Sequence, residues 1–270
     1  MTALIGWIGV DSRNPCSAYL MSDSRISWGG NNSPYDCARK LFALKNSPDI
    51  LGYCGDGLFT SLVLSQICEL DSNKLLFPSQ SSSDEKAGII QRQIQRQFNR
   101  YPVHARNPSF IYHFSKDNDS AFHAYQYKYE GSTWYCEPQE IDTSKSALII
   151  HDGSGNEEFI SLYREYNRGD LSNTSRNIYQ CFCDFLQRTR LKSCGGPPQL
   201  VGLYNGKKFN GMSFGIISGG VTYFCGSPCS PEYAANNPDI RWYNENFEIC
   251  DGTSLLREPT AMHQPNPNRL

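Results

Sequence analysis

The second residue of the chain is a threonine, and an apolar run follows it at once: Met1-Thr2-Ala3-Leu4-Ile5-Gly6-Trp7-Ile8-Gly9-Val10. The small side chain at position 2 predicts removal of Met1, so that the mature chain begins with a free Thr2 amine. Such a residue carries a hydroxyl nucleophile and, on the same Cα, an amine of pKa about 8 that can act as its general base. Ser22-Asp23-Ser24-Arg25 places two opposite charges one alternation apart. Lys40, in Arg39-Lys40-Leu41-Phe42, stands near the start of an apolar strand. A buried ammonium needs a carboxylate there, and Asp23 is the candidate. A lysine beside a hydroxyl lowers the hydroxyl's pKa and stabilises the alkoxide. Gly52-Tyr53-Cys54-Gly55-Asp56-Gly57 reads as a strand-to-helix turn able to aim a backbone N–H at an oxyanion. Gly153-Ser154-Gly155 before a helix offers a hydroxyl and exposed amides. Each of these, alone, also has an ordinary structural reading as an ion pair, a turn or a helix start.

The elements that must position these groups follow from the pattern. Strands are expected over 2–10, 18–22, 39–44 and 50–54, joined by turn-rich links at 11–15 and 45–49. Leu58, Leu62, Ile67 and Leu70 recur at helical spacing after the glycines, 73–84 reads as a serine-rich loop, and 85–99 as a second helix. Strands over 108–115, 121–127, 134–139 and 146–150 precede helices over 158–166 and 174–190. Strands over 199–204, 209–217 and 220–225 follow, with Asn205-Gly206 as a hairpin turn. Strands linked mainly as hairpins, with helices in two separate pairs, imply an α+β fold: a four-layer αββα sandwich of two antiparallel sheets.

Composition narrows the function. With 39% hydrophobic residues and 25 basic against 27 acidic side chains, the chain can bury a core and has no charge excess that would attract nucleic acid. No run of about 18 apolar residues could span a bilayer, and the opening lacks the pattern of a signal peptide, so a cytoplasmic protein is expected. The 11 cysteines are odd in number and irregular in spacing, which favours reduced thiols over disulfides. Cys225, Cys229 and Cys250 fit a zinc site only loosely, and no metal or other cofactor is expected. None of the five histidines stands in a triad context.

Taken in order, Met1-Thr2, Ser22-Asp23-Ser24-Arg25, Arg39-Lys40-Leu41-Phe42, Gly52 to Gly57, Gly153-Ser154-Gly155 and Ser193-Cys194-Gly195-Gly196 resemble the proteasome β-subunit family, with the bacterial HslV and Anbu proteins among its members. The resemblance runs from about residue 2 to 225 and implies an N-terminal nucleophile hydrolase domain over 2–225, with 226–270 an extension of unknown role. It implies Thr2 as nucleophile, Asp23 and Lys40 as its electrostatic support, Gly55 as the oxyanion donor and Ser154 as a partner of the terminal amine. Arg25, Ile26, Ala38, Phe42 and Tyr53 fall where that family binds substrate. It further implies a peptide or unfolded-protein substrate, a homo-oligomer and an ATPase as a possible partner. Leu191 and Cys194 depart from the aspartate and serine of active members, for which Asp184 or Ser193 are the available substitutes. Three functions stay open on these residues: a threonine peptidase, an inactive subunit used for assembly or binding, and an amidase acting on a small amide.

Overall fold

The computed structural model describes residues 2–261 apart from 13, 29–32, 118–120, 207–209 and 235. In chain order it forms β1 (Ala3–Asp11), β2 (Asn14–Ser22), β3 (Leu41–Ala43), β4 (Asp49–Gly55), α1 (Gly57–Ser72) and α2 (Ser83–Phe98). Then come β5 (Ser109–Lys116), β6 (Phe122–Glu130), β7 (Thr133–Gln139), β8 (Ala147–Gly153), α3 (Asn156–Tyr166) and α4 (Ser175–Arg188). The chain continues through β9 (Gln199–Tyr204), β10 (Met212–Ser213), β11 (Gly215–Ser218), β12 (Val221–Phe224), β13 (Ser227–Pro228), α5 (Pro231–Ala234), β14 (Trp242–Tyr243) and β15 (Ile249–Cys250).

Alternation along β1 explains the layering. Ala3, Ile5 and Trp7 point to one face and pack with Phe159, Ile178, Phe182 and Phe185 of α3 and α4. Leu4, Ile8 and Val10 point to the other and pack with Leu41, Ile50 and Phe114 of the opposing sheet. A central strand buried on both faces has no polar side, which is why the opening run is apolar throughout. One sheet has the order β10-β9-β2-β1-β8 and the other β3-β4-β5-β6-β7, and every pair within them is antiparallel. The second sheet covers its outer face with α1 and α2 around Phe59, Ile67, Ile90 and Phe98. The result is the expected four-layer αββα sandwich.

The differences from expectation have local causes. Helix α2 starts two residues early because Ser82 and Glu85 cap it reciprocally. β3 begins only at Leu41, which leaves Lys40 in the segment leading into the strand. The strand expected over 209–217 is broken at Phe214 into β10 and β11, and its first residue lies outside the described residues. β9 and β10 do pair as a hairpin, although 207–209 in its connection are likewise undescribed. A third sheet, β13-β12-β11-β14-β15, has one parallel pair, β11 with β14. It takes strands from both sides of residue 225, so backbone hydrogen bonds tie the tail to β11 and β12. All 11 cysteines are free, and among the described residues no three His, Cys, Asp or Glu side chains are grouped as for a metal. No helix among the described residues is long and apolar enough to cross a membrane.

Candidate active site

The sheets open at one end into a cleft of about 730 Å³ lined by Thr2, Ile26, Ser27, Trp28, Lys40 and Tyr53, and by the segments 55–58 and 107–108 with Ser61. Thr2 is buried at its floor. Behind it the Lys40 Nζ donates to Asp23 Oδ1 at 2.7 Å, both side chains being inaccessible to solvent. Backbone amides complete the Asp23 carboxylate: Ala3 N donates to Oδ1 at 3.0 Å, and Gly195 N and Arg25 N to Oδ2 at 3.0 and 3.3 Å. Asp23 therefore fixes the first strand, the loop after α4 and the lysine at once. An ammonium has three N–H donors, and Lys40 gives one of them to Asp23.

Gly55 closes β4 at φ +100, where a Cβ would lie 2.4 Å from the Pro108 carbonyl oxygen. Only glycine suits both the conformation and the space. Gly153, opposite Ala3 in the β1–β8 ladder, has φ +97, and a Cβ there would stand 1.9 Å from the Thr2 carbonyl oxygen. Thr2 thus rests directly on that glycine. Ser154, just beyond, donates to Ser193 Oγ at 2.8 Å, with the Cys194 thiol 3.6 Å away. Burial, then the charge of Asp23, pushes the Cys194 thiol up.

Several expected positions are placed elsewhere. Arg25 does not pair with Asp23, because β2 ends at Ser22 and its alternation stops there. Arg25 instead makes a bidentate pair with Asp36 at 2.7 and 2.8 Å and donates to the Cys194 carbonyl at 3.1 Å. The guanidinium hydrogen bond holds the Asp36 carboxyl below its ordinary value. Phe42 is directed by the alternation of β3 into the core under α1 and α2, with the Arg39 guanidinium 4.4 Å over its ring. Ala38 is buried with its carbonyl bound to Gln199. None of these three lines the cleft. Ile26 and Tyr53 do, and the Tyr53 hydroxyl donates to the Arg39 carbonyl at 3.3 Å. Burial, then the charge of Asp23, raises the Tyr53 phenol. Leu191 packs against the α3–α4 core. Asp184 is engaged with Tyr166 and Arg188 at 2.8 and 2.6 Å, so of the two substitutes only Ser193 reaches the site.

Gln199 was not legible as a site residue. Its buried amide accepts from Lys40 N at 3.1 Å and donates toward Ser24 Oγ and the Ala38 carbonyl, both at 2.8 Å. It holds the segment bearing Lys40 against the segment bearing Asp23. A polar first residue on an apolar strand is the signal that could have revealed it.

No protein-family model matches the sequence, and no curated protein matches it. Among solved structures, an Anbu mutant from Hyphomicrobium sp. strain MC1 superposes with a TM-score of 0.52 at 13% identity, over 78% of this chain and 84% of that one. At that identity the likeness is one of architecture: the chain shares its four-layer sandwich with that Anbu structure.

Proposed function

We propose that this protein hydrolyses peptide bonds through an acyl-enzyme on Thr2 once Met1 has been removed. The observation that carries the reading is the buried Lys40–Asp23 pair, whose ammonium lines the same cleft as Thr2 and Gly55. In this mechanism the Thr2 hydroxyl adds to the substrate carbonyl while its proton passes to the Thr2 amine. Lys40 stabilises the alkoxide, and the Gly55 backbone N–H donates to the oxyanion. The α-ammonium returns the proton to the departing amine, and water then hydrolyses the ester. The cleft has the size of a site for a few substrate residues, with Trp28 and Leu58 as apolar walls and Asp56 and Asn107 as polar ones. The proposal extends to a homo-oligomer, since Leu58 and Leu62 stand exposed one turn apart on α1. A second reading, an inactive subunit of the same fold, is favoured by the apolar packing of Leu191 where a carboxylate would polarise the amine.

Chain purified without Met1 is expected to release fluorophore from short peptidyl-coumarins, and Thr2→Ala to abolish that release. Preference for small amides over peptides would move the reading to an amidase. Equal rates in both proteins would contradict it.

A further inference from the structure

Three side chains outside the proposed machinery meet between the two sheets, immediately beside Thr2. Asp152 on β8 stands opposite Leu4, and Gly153 opposite Ala3. Thr2, one residue ahead of β1, lies against Gly153, where a Cβ would stand 1.9 Å from its carbonyl oxygen, so Asp152 adjoins the glycine on which Thr2 rests. Ile150, two residues earlier on the same face, belongs to the inter-sheet core. A carboxylate thus stands where the pattern asks for an apolar side chain. Asp152 Oδ2 accepts from the Tyr112 hydroxyl at 2.5 Å and the Cys54 thiol at 2.9 Å, and Oδ1 from Gly153 N at 2.6 Å. Tyr112 is itself held by Gln126 Nε2 at 2.8 Å. Burial raises both the phenol and the thiol, which keeps them protonated as donors. All three donors are neutral, and among the described residues no cation is paired with Asp152. Asp23, by contrast, is neutralised by Lys40.

We propose that Asp152 is a positioning residue for Thr2: its carboxylate, fixed by Tyr112 and Cys54, is the negative charge that keeps the Thr2 amine basic enough to take the hydroxyl proton. The inference rests on the hydrolase reading given above. The proton moves from Thr2 Oγ to the amine, and Asp152 neither gains nor loses one. The other charged and titratable groups around Thr2 are Asp23 and Lys40, the Tyr53 phenol, Asp56 at the start of α1, and the Cys194 thiol. His151 occupies the opposite face of β8 and bonds Asn156 at 2.9 Å. Lys40 acts against Asp152 on the amine, so every variant below retains it.

The test titrates the amine itself. Chain with Thr2 exposed by a cleavable leader is reacted with cyanate across pH 6–10, and N-terminal carbamylation is read by mass spectrometry. Asp152→Asn is expected to lower the amine pKa by about 0.5–1 unit. The acidic limb of kcat/KM should move down by the same amount with KM unchanged. Asp152→Glu and Tyr112→Phe, which keep the charge, should leave the amine at or above its wild-type value. An amine pKa equal in wild type and Asp152→Asn overturns the proposal, whatever happens to the rate. A shifted amine in a protein that hydrolyses nothing overturns only the hydrolase reading, because the cyanate reaction does not require turnover.

Discussion

Among the described residues two lysine–aspartate pairs are buried, and they differ in what is left of the lysine. At the end of the sheet remote from the cleft, Lys86 donates to Asp49 at 2.9 Å, to Ser115 Oγ at 3.0 Å and to the Lys116 carbonyl at 3.4 Å. His113 Nε2 lies 2.8 Å from the other oxygen of Asp49, and its Nδ1 3.0 Å from the Tyr127 hydroxyl. Every donor of that lysine has an acceptor within the fold. Among the described residues Lys40 Nζ has one acceptor, Asp23, and Lys40 lines the cleft that also holds Thr2. Burial and pairing are common to both, so neither marks function. On the hydrolase reading, the difference that matters is an incompletely satisfied ammonium in the cleft of Thr2.

Lys40→Met and Lys86→Met should separate the two most sharply. Each strands a buried carboxylate and should cost about 3–5 kcal/mol in denaturant unfolding. Lys40→Met should also remove about 10²–10³-fold in kcat, whereas Lys86→Met should leave the rate per folded molecule unchanged. Gly153→Ala should come next, since a methyl group would meet the Thr2 carbonyl and displace the nucleophile. A drop of about 10²-fold in kcat is expected, against a loss of about 1–3 kcal/mol in stability for a strained left-handed alanine.

Acid should act first on the remote pair. Burial lowers the His113 pKa from its ordinary 6.5, so on acidification the unfolded chain takes up a proton that the fold refuses. That stability is complete above about pH 6.5 and is lost as pH falls below it. The Asp49 carboxyl, also held below its ordinary value of 3.8, adds its loss only at lower pH. Melting temperature should therefore fall from pH 7 to 5 in wild type and less steeply in His113→Asn. Asp184→Asn should have the smallest effect. Its partner Arg188 is 66% exposed and one turn away, so a stability change of about 0–0.5 kcal/mol and less than about twofold in rate are expected.

The sandwich was readable because β1 is apolar on both faces and its helices carry apolar stripes. Lys40 could be singled out because a lysine is unusual where it stands, whereas Thr2, Asp23 and Gly55 acquired their expected roles from the family resemblance. The pairing of Arg25 with Asp23 depended on alternation carried past the end of β2, a boundary that no glycine or proline marks, whereas Phe42 and Ala38 came from the family resemblance and are buried away from the cleft. Gln199, Asp152 and Tyr112 join the site through contacts between residues about 40 to 160 positions apart, which no local pattern records. The third sheet is built partly from two-residue strands, too short to show a period.

Intact mass spectrometry with a peptide epoxyketone tests the central claim most directly, because that warhead needs both the hydroxyl and the free amine of one N-terminal residue. Loss of Met1 with a single adduct, absent in Thr2→Ala, is the expected result. A free Thr2 that never takes the label, or a chain that keeps Met1, would contradict the account.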